Sequence, residues 1–204
     1  PVDPALVGRD GPEGTYKNGA FINVIRHGGR VLALCEATTA YELTAELDTV
    51  GEWCAGTDRP LELGAHNRRH PGTGDLYALA YAVDEPLLRL HRIDAGGRLV
   101  ASVPLRLPAP TMIHDFVLTE RHAVILACPL VFDLDAAMQG QPLLQWRPQL
   151  GTRIGIVGLD GGPRRPRSGR QGQRQRLRSR PTVQPPRDRA AVGVRAVSRL
   201  DGPG

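Results

Sequence analysis

The sequence predicts an all-β protein, on three observations. Apolar runs of four to eight residues recur between turn signals from Phe21 onward. The 3.6-residue periodicity of helices is almost absent. Successive runs are joined by short connections that read as hairpins. Sandwich, barrel and propeller all satisfy that pattern. The succession of hairpins favours a propeller, whose blades are four-stranded meanders. At about 40–50 residues per blade, residues 20–160 make roughly three blades, a partial propeller that cannot close a ring.

Residues 1–19, rich in glycine, proline and charge, read as a lead-in loop. Phe21–Ile25 and Val31–Cys35 flank Arg26-His27-Gly28-Gly29-Arg30, and the two glycines supply the positive φ angles that a tight hairpin demands. Tyr41–Leu43 and Thr49–Cys54 form the next pair. Leu76–Val83 and Leu87–Ile93 are strand-like, and Asp94-Ala95-Gly96-Gly97 turns the chain into Arg98–Leu105. A proline-rich turn (Pro104, Pro108, Pro110) precedes a strand over Thr111–Leu118. Thr119-Glu120-Arg121-His122 joins that strand to Ala123–Cys128. Helix is expected only in short pieces such as Asp133–Met138.

The net charge of +5 averages two unlike parts. Residues 161–204 hold 12 arginines against Asp188 and Asp201, a net of +10, which leaves −5 for residues 1–160. This tail has no aromatic residue, no histidine and too little apolar content to bury a core, so it is expected to be disordered. One reading makes it a basic arm for nucleic acid. The other makes it a shifted reading frame of a GC-rich gene, and 25 arginines against the single Lys17 favour that. No run of 18 apolar residues occurs, and no charged-then-apolar leader follows Pro1. Cys35, Cys54 and Cys128 contain no Cys-x-x-Cys pair. They read as small core residues of a protein in a reducing cytoplasm.

His66 and His114 are the candidate metal ligands. On spacing alone, a hydrogen-bonded strand or turn histidine is the commoner outcome. Their separation of 48 residues is nevertheless about one blade, and equivalent inner-strand positions of successive blades converge on a propeller axis. A ligand imidazole needs its second ring nitrogen held by a carboxylate or carbonyl. Glu36, at the end of the apolar strand Val31–Cys35, is either that carboxylate or a solvated strand end. His27 reads as structural, and His70, His91 and His122 as solvated loop residues.

Several ordered motifs carry a family resemblance. They are Asn23–Glu36 with Tyr41-Glu42-Leu43, Ala65-His66 with His70–Tyr77, Met112–Thr119, Pro129–Asp133, and Trp146-Arg147-Pro148 with Leu150–Gly155. Together they resemble the carotenoid cleavage oxygenase family. That resemblance implies a seven-bladed β-propeller with Fe(2+) on its axis, held by four histidines. It implies a dioxygenase that uses O₂ to split a conjugated C=C bond of an apolar polyene into two carbonyl products. His66 matches the first ligand, His114 the second, and Glu36 a glutamate that orients a ligand histidine. The parent enzyme is expected to associate peripherally with membranes.

Three departures accompany the match. Phe21-Ile22-Asn23 stands where the family commonly reads Asn-Thr-Asn, which puts the bulkier Ile22 near an open iron position. Cys35 stands where stilbene-cleaving members tend to have lysine, which tilts the expected substrate toward carotenoids or apocarotenoids. No histidine follows His122, so the third and fourth ligands are absent from this chain. The expectation is a dioxygenase fragment, incomplete at both ends, with an out-of-frame tail and no activity alone. The alternatives are a β domain whose Arg-rich arm binds nucleic acid, and a non-catalytic propeller module that serves as an interaction surface.

Overall fold

The alternating runs fold into short antiparallel strands. The computed structural model describes residues 19–159 and the backbone of residues 195 and 196. In the first sheet β1 (Asn23–His27), β2 (Arg30–Leu34), β3 (Tyr41–Leu43) and β4 (Thr49–Glu52) pair in sequence order. Gly28 and Gly29 close the first hairpin with φ of 56° and 77°, so His27 lies opposite Arg30. Both angles belong to the left-handed region that a two-residue hairpin turn uses and that glycine enters without strain.

The second sheet repeats this meander with β5 (Arg68–Arg69), β6 (Leu76–Tyr81), β7 (Leu87–Ile93) and β8 (Leu99–Arg106). The third begins with β9 (Phe116–Leu118) and β10 (His122–Ala127). An excursion then pairs β11 (Leu130–Phe132) with β12 (Leu144–Trp146) around the short helix α1 (Leu134–Met138). The chain returns as β13 (Arg153–Gly158), which pairs with β10 and with β14 (Arg195–Ala196). Three four-stranded sheets in a nearly all-β chain make a partial β-propeller of about three blades. The expectations for residues 1–18 and for the tail lie outside the described residues, apart from the backbone of β14.

The sheets stack with the second in the middle, and β6 is buried along its whole length. Leu76 and Ala78 join Leu32, Leu34, Trp53, Leu63 and Ile93 in one core against the first sheet. Tyr77, Leu79 and Tyr81 join Leu88, Leu105, Phe116, Ile125 and Val157 in another against the third. Each fully buried leucine contributes roughly 1.5–3 kcal/mol to this packing.

Motif residues outside the metal candidates build turns and caps. His70 Nδ1 accepts from the Gly72 and Thr73 amides, and Nε2 reaches the Glu120 carbonyl at 3.0 Å, tying the β5–β6 turn to the β9–β10 turn. Asp133 caps α1 by accepting from the Ala136 amide at 2.9 Å and from Arg147 at 2.7 Å. These two donors, the Ala136 amide first, hold the Asp133 carboxyl below its usual range.

Four expectations are corrected. Thr111–Leu118 is a strand only from Phe116: Thr111 bridges Val131, Met112 N–H donates to the Leu130 carbonyl, and Phe132 N–H to that of Pro110. The chain pairs first with β11 and then crosses to β10, while Pro108 and Pro110 lack the amides a continuous strand needs. His91 is not solvated but buried in β7 at 4 % exposure. His70 is a turn staple rather than a solvated loop residue. The cysteines are not core residues, since Cys35 and Cys54 are half-buried and Cys128 is exposed.

Candidate metal centre

Three chain segments meet where the sheets end. Glu36 lies in the turn just after β2, His66 two residues before β5, and His114 two residues before β9. Their ligand atoms all lie within 4.8 Å of one another. The two imidazole rings are 4.3 Å apart between centroids and tilted by 49°. Both histidines occupy irregular backbone, which lets the rings face each other in a way that alternating strand positions on separate sheets would not.

Glu36 is held from several sides. Its Oε1 accepts from the Ala65 amide at 3.2 Å, and its Oε2 accepts from the Tyr81 hydroxyl at 3.1 Å. The His114 Nδ1 lies 3.7 Å from Oε1, an electrostatic contact longer than a closed hydrogen bond. The carboxylate is only 15 % exposed, so each of these donors replaces a lost water. Tyr81 is buried at the end of β6 and stacks on Phe132 at 5.8 Å between centroids. Burial first, and the Glu36 charge second, push its phenol well above the usual range, so it remains a hydrogen-bond donor.

The His66 segment is fixed by its backbone. Gly64 N–H donates to the Leu79 carbonyl, and the Asn23 side-chain amide donates to the Ala65 carbonyl at 3.0 Å. A Cβ at Gly64 would come 3.0 Å from the Leu79 oxygen and 3.7 Å from Glu36 Oε2, so a side chain there would crowd the carboxylate's seat. Arg68, two residues after His66, binds both oxygens of Asp115, one residue after His114, at 2.8 and 2.6 Å. This ion pair, made by one guanidinium nitrogen, ties the two histidine segments together.

The structure therefore brings Glu36, His66 and His114 into one cluster. Ile22 is linked to it only indirectly: it is 40 % exposed, its amide donates to the Leu34 carbonyl, and its neighbour Asn23 holds Ala65. Sequence reasoning missed Tyr81, Asn23, Gly64 and the Arg68–Asp115 pair. Tyr81 carried no signal beyond its place in an apolar strand. The position of Arg68 and Asp115 beside the two candidate ligands was a signal that could have been used.

The donor set fits a divalent transition metal. Two imidazoles converge within 4.8 Å, and the nearby carboxylate is already engaged by donors on both oxygens. That leaves two imidazoles that could hold a cation, with a buried acceptor beside one of them, a donor set suited to iron, zinc or copper.

Comparison with known proteins extends this picture. The family model described as retinal pigment epithelial membrane protein matches residues 4–178. The chain is 38 % identical over 128 residues to a carotenoid cleavage oxygenase of Mycobacterium tuberculosis, covering 59 % of this chain and 24 % of that protein. It is 33 % identical over 132 residues to a chloroplastic 9-cis-epoxycarotenoid dioxygenase of Oryza sativa, covering 61 % and 23 %. Among solved structures, a Pseudomonas brassicacearum lignostilbene dioxygenase superposes with a TM-score of 0.65 at 32 % identity, over 71 % of this chain and 31 % of that one. A variant of the Synechocystis apocarotenoid oxygenase superposes with a TM-score of 0.63 at 24 % identity, over 74 % and 34 %, which speaks for the fold alone. The chain thus spans about a quarter of the length of these curated relatives and about a third of these solved ones.

Proposed function

Because the chain belongs to the carotenoid cleavage oxygenase family, we propose that it carries half of the iron site of a dioxygenase that cleaves a carotenoid or apocarotenoid. The observation that carries this reading is the meeting of His66 and His114, 48 residues apart in sequence, at 4.3 Å between ring centroids.

His66 and His114 are the residues that would hold Fe(II). The chemistry the ion supplies when bound is activation of O₂ for addition across a conjugated double bond. The C=C bond breaks, each of its carbons ends as a carbonyl, and both carbonyl oxygens derive from O₂. The protein's own residues orient the ligands. The Glu36 carboxylate lies on the Nδ1 side of His114, which leaves Nε2 available as the ligand atom. The Ala65 amide and the Tyr81 hydroxyl keep the carboxylate in place. Cys35, one residue past β2, offers no ammonium to a phenolic substrate, which favours an apolar polyene over a stilbene.

Two imidazoles are half of the family's four, so the chain alone is expected to bind metal loosely and to turn over nothing. A graft tests the reading. Residues 20–158 replace the matching stretch of the Mycobacterium tuberculosis enzyme, and carotenoid cleavage is followed by product chromatography. The graft is expected to cleave, and to lose activity with His66→Ala or His114→Ala, while the isolated chain yields no aldehyde or ketone. A folded graft whose activity survives both substitutions would refute the assignment, and turnover by the isolated chain would refute the expectation that two imidazoles do not suffice.

A further inference from the structure

We infer that Tyr81 is a positioning residue of the metal centre: by anchoring Glu36 Oε2 it holds the carboxylate on the Nδ1 side of His114 and so orients that imidazole. The inference rests on the reading of His114 as a ligand, and it concerns a residue of a neighbouring blade that touches no metal.

The geometry supports it in steps. Glu36 lies in a turn after β2, where its side chain is free to rotate about its terminal torsion unless both oxygens are held. The Ala65 amide fixes Oε1 at 3.2 Å and the Tyr81 hydroxyl fixes Oε2 at 3.1 Å. With both held, the carboxylate plane is set, and Oε1 is left 3.7 Å from His114 Nδ1. A carboxylate on that side favours the Nδ1–H tautomer and leaves the Nε2 lone pair for a cation. Tyr81 is itself immobilised, since its ring is 5 % exposed within the core between the second and third sheets and stacks on Phe132. Removal of the hydroxyl keeps the ring to pack and releases Oε2, so that the carboxylate can pivot about the Oε1 that the Ala65 amide still holds. A hydrogen bond to a charged group is worth more than one between neutral groups, which makes the effect measurable.

The test uses the full chain with Tyr81→Phe, and with Glu36→Gln as a second variant that breaks the link from the other side. Two readouts are taken. Long-range proton–nitrogen correlation spectra of the metal-free chain report the His114 tautomer, and visible absorption follows titration with Co(II) as the probe ion. The wild-type chain is expected to show His114 mainly as the Nδ1–H form. Both variants should shift it toward the Nε2–H form and weaken Co(II) binding about tenfold, the lower end for loss of a partner behind a ligand. A merely structural tyrosine would lower the unfolding temperature without moving the tautomer. If Tyr81→Phe leaves tautomer and affinity at the wild-type values, the inference is overturned, while loss of Co(II) binding in His114→Ala keeps the ligand reading intact. If His66→Ala and His114→Ala leave Co(II) binding unchanged, the ligand reading fails, and the inference with it.

Discussion

At the scale of single residues, the six histidines divide by what surrounds each ring. His66 and His114 face each other across two irregular segments, and the remaining four serve the scaffold or the surface. His27 is buried and its Nε2 contacts the Asp94 carbonyl at 2.7 Å, which joins the first hairpin to the β7–β8 turn. Burial depresses its basicity. His91 goes further: burial first, and the Arg89 charge second, bring it down to about 4, and its Nδ1 has no hydrogen-bond partner. The consequence is a pH dependence of known sign. Unfolded, His91 takes up a proton near 6.5, whereas folded it resists until about 4. The unfolded state therefore binds more protons across that window, and stability falls as pH drops through it, by up to roughly 3 kcal/mol. Urea unfolding at pH 7.0 and 4.5 should show this loss, and His91→Gln should remove much of it. Equal slopes with pH for the two proteins would contradict the assignment.

At the scale of elements, legibility followed locality. The Gly28-Gly29 turn, β3 and β7 were readable because each is specified by adjacent residues, and the bounds of β3 and β7 match the sequence reading. The cap of α1 was equally local, since Asp133 accepts from an amide three residues on. The path of residues 111–115 was not readable, because its partner β11 lies some 20 residues away and the pairing is a tertiary event. β5, two residues long, has no periodicity to detect. The meeting of Glu36, His66 and His114 was foreshadowed by family motifs more than by spacing. Tyr81 was invisible because its role depends on which oxygen of a distant glutamate it meets. One joint between elements offers a sharp test. A Cβ at Gly28 would lie 2.7 Å from the backbone of Gly96 and Gly97, at a φ of +56° that side chains rarely adopt. Gly28→Ala is therefore expected to cost about 2 kcal/mol or more, as strain at a turn combined with a backbone clash. Gly29→Ala meets no atom within 4 Å and should cost less. Calorimetry of the two variants checks the order, and equal losses would contradict the close approach.

At the scale of the whole molecule, three stacked sheets present the ends of two chain crossings to one point, and the proposed metal centre depends on that convergence. Both cores contribute. The one between the first and second sheets buries Leu63 and Ala65 beside His66, and the other buries Ile113 and Phe116 around His114. Glu36 and the Arg68–Asp115 pair then couple the two crossings. Arg68 and Asp115 are 40 % and 43 % exposed, so the pair adds at most about 1 kcal/mol of stability and matters more for geometry. The central claim is that His66 and His114 are ligands of one metal ion. It is tested most directly by anaerobic titration of the full chain with Fe(II), following bound iron by equilibrium dialysis. The structure predicts one weakly held equivalent, lost in His66→Ala and in His114→Ala. Absence of saturable binding, or binding that persists in both variants, would contradict it.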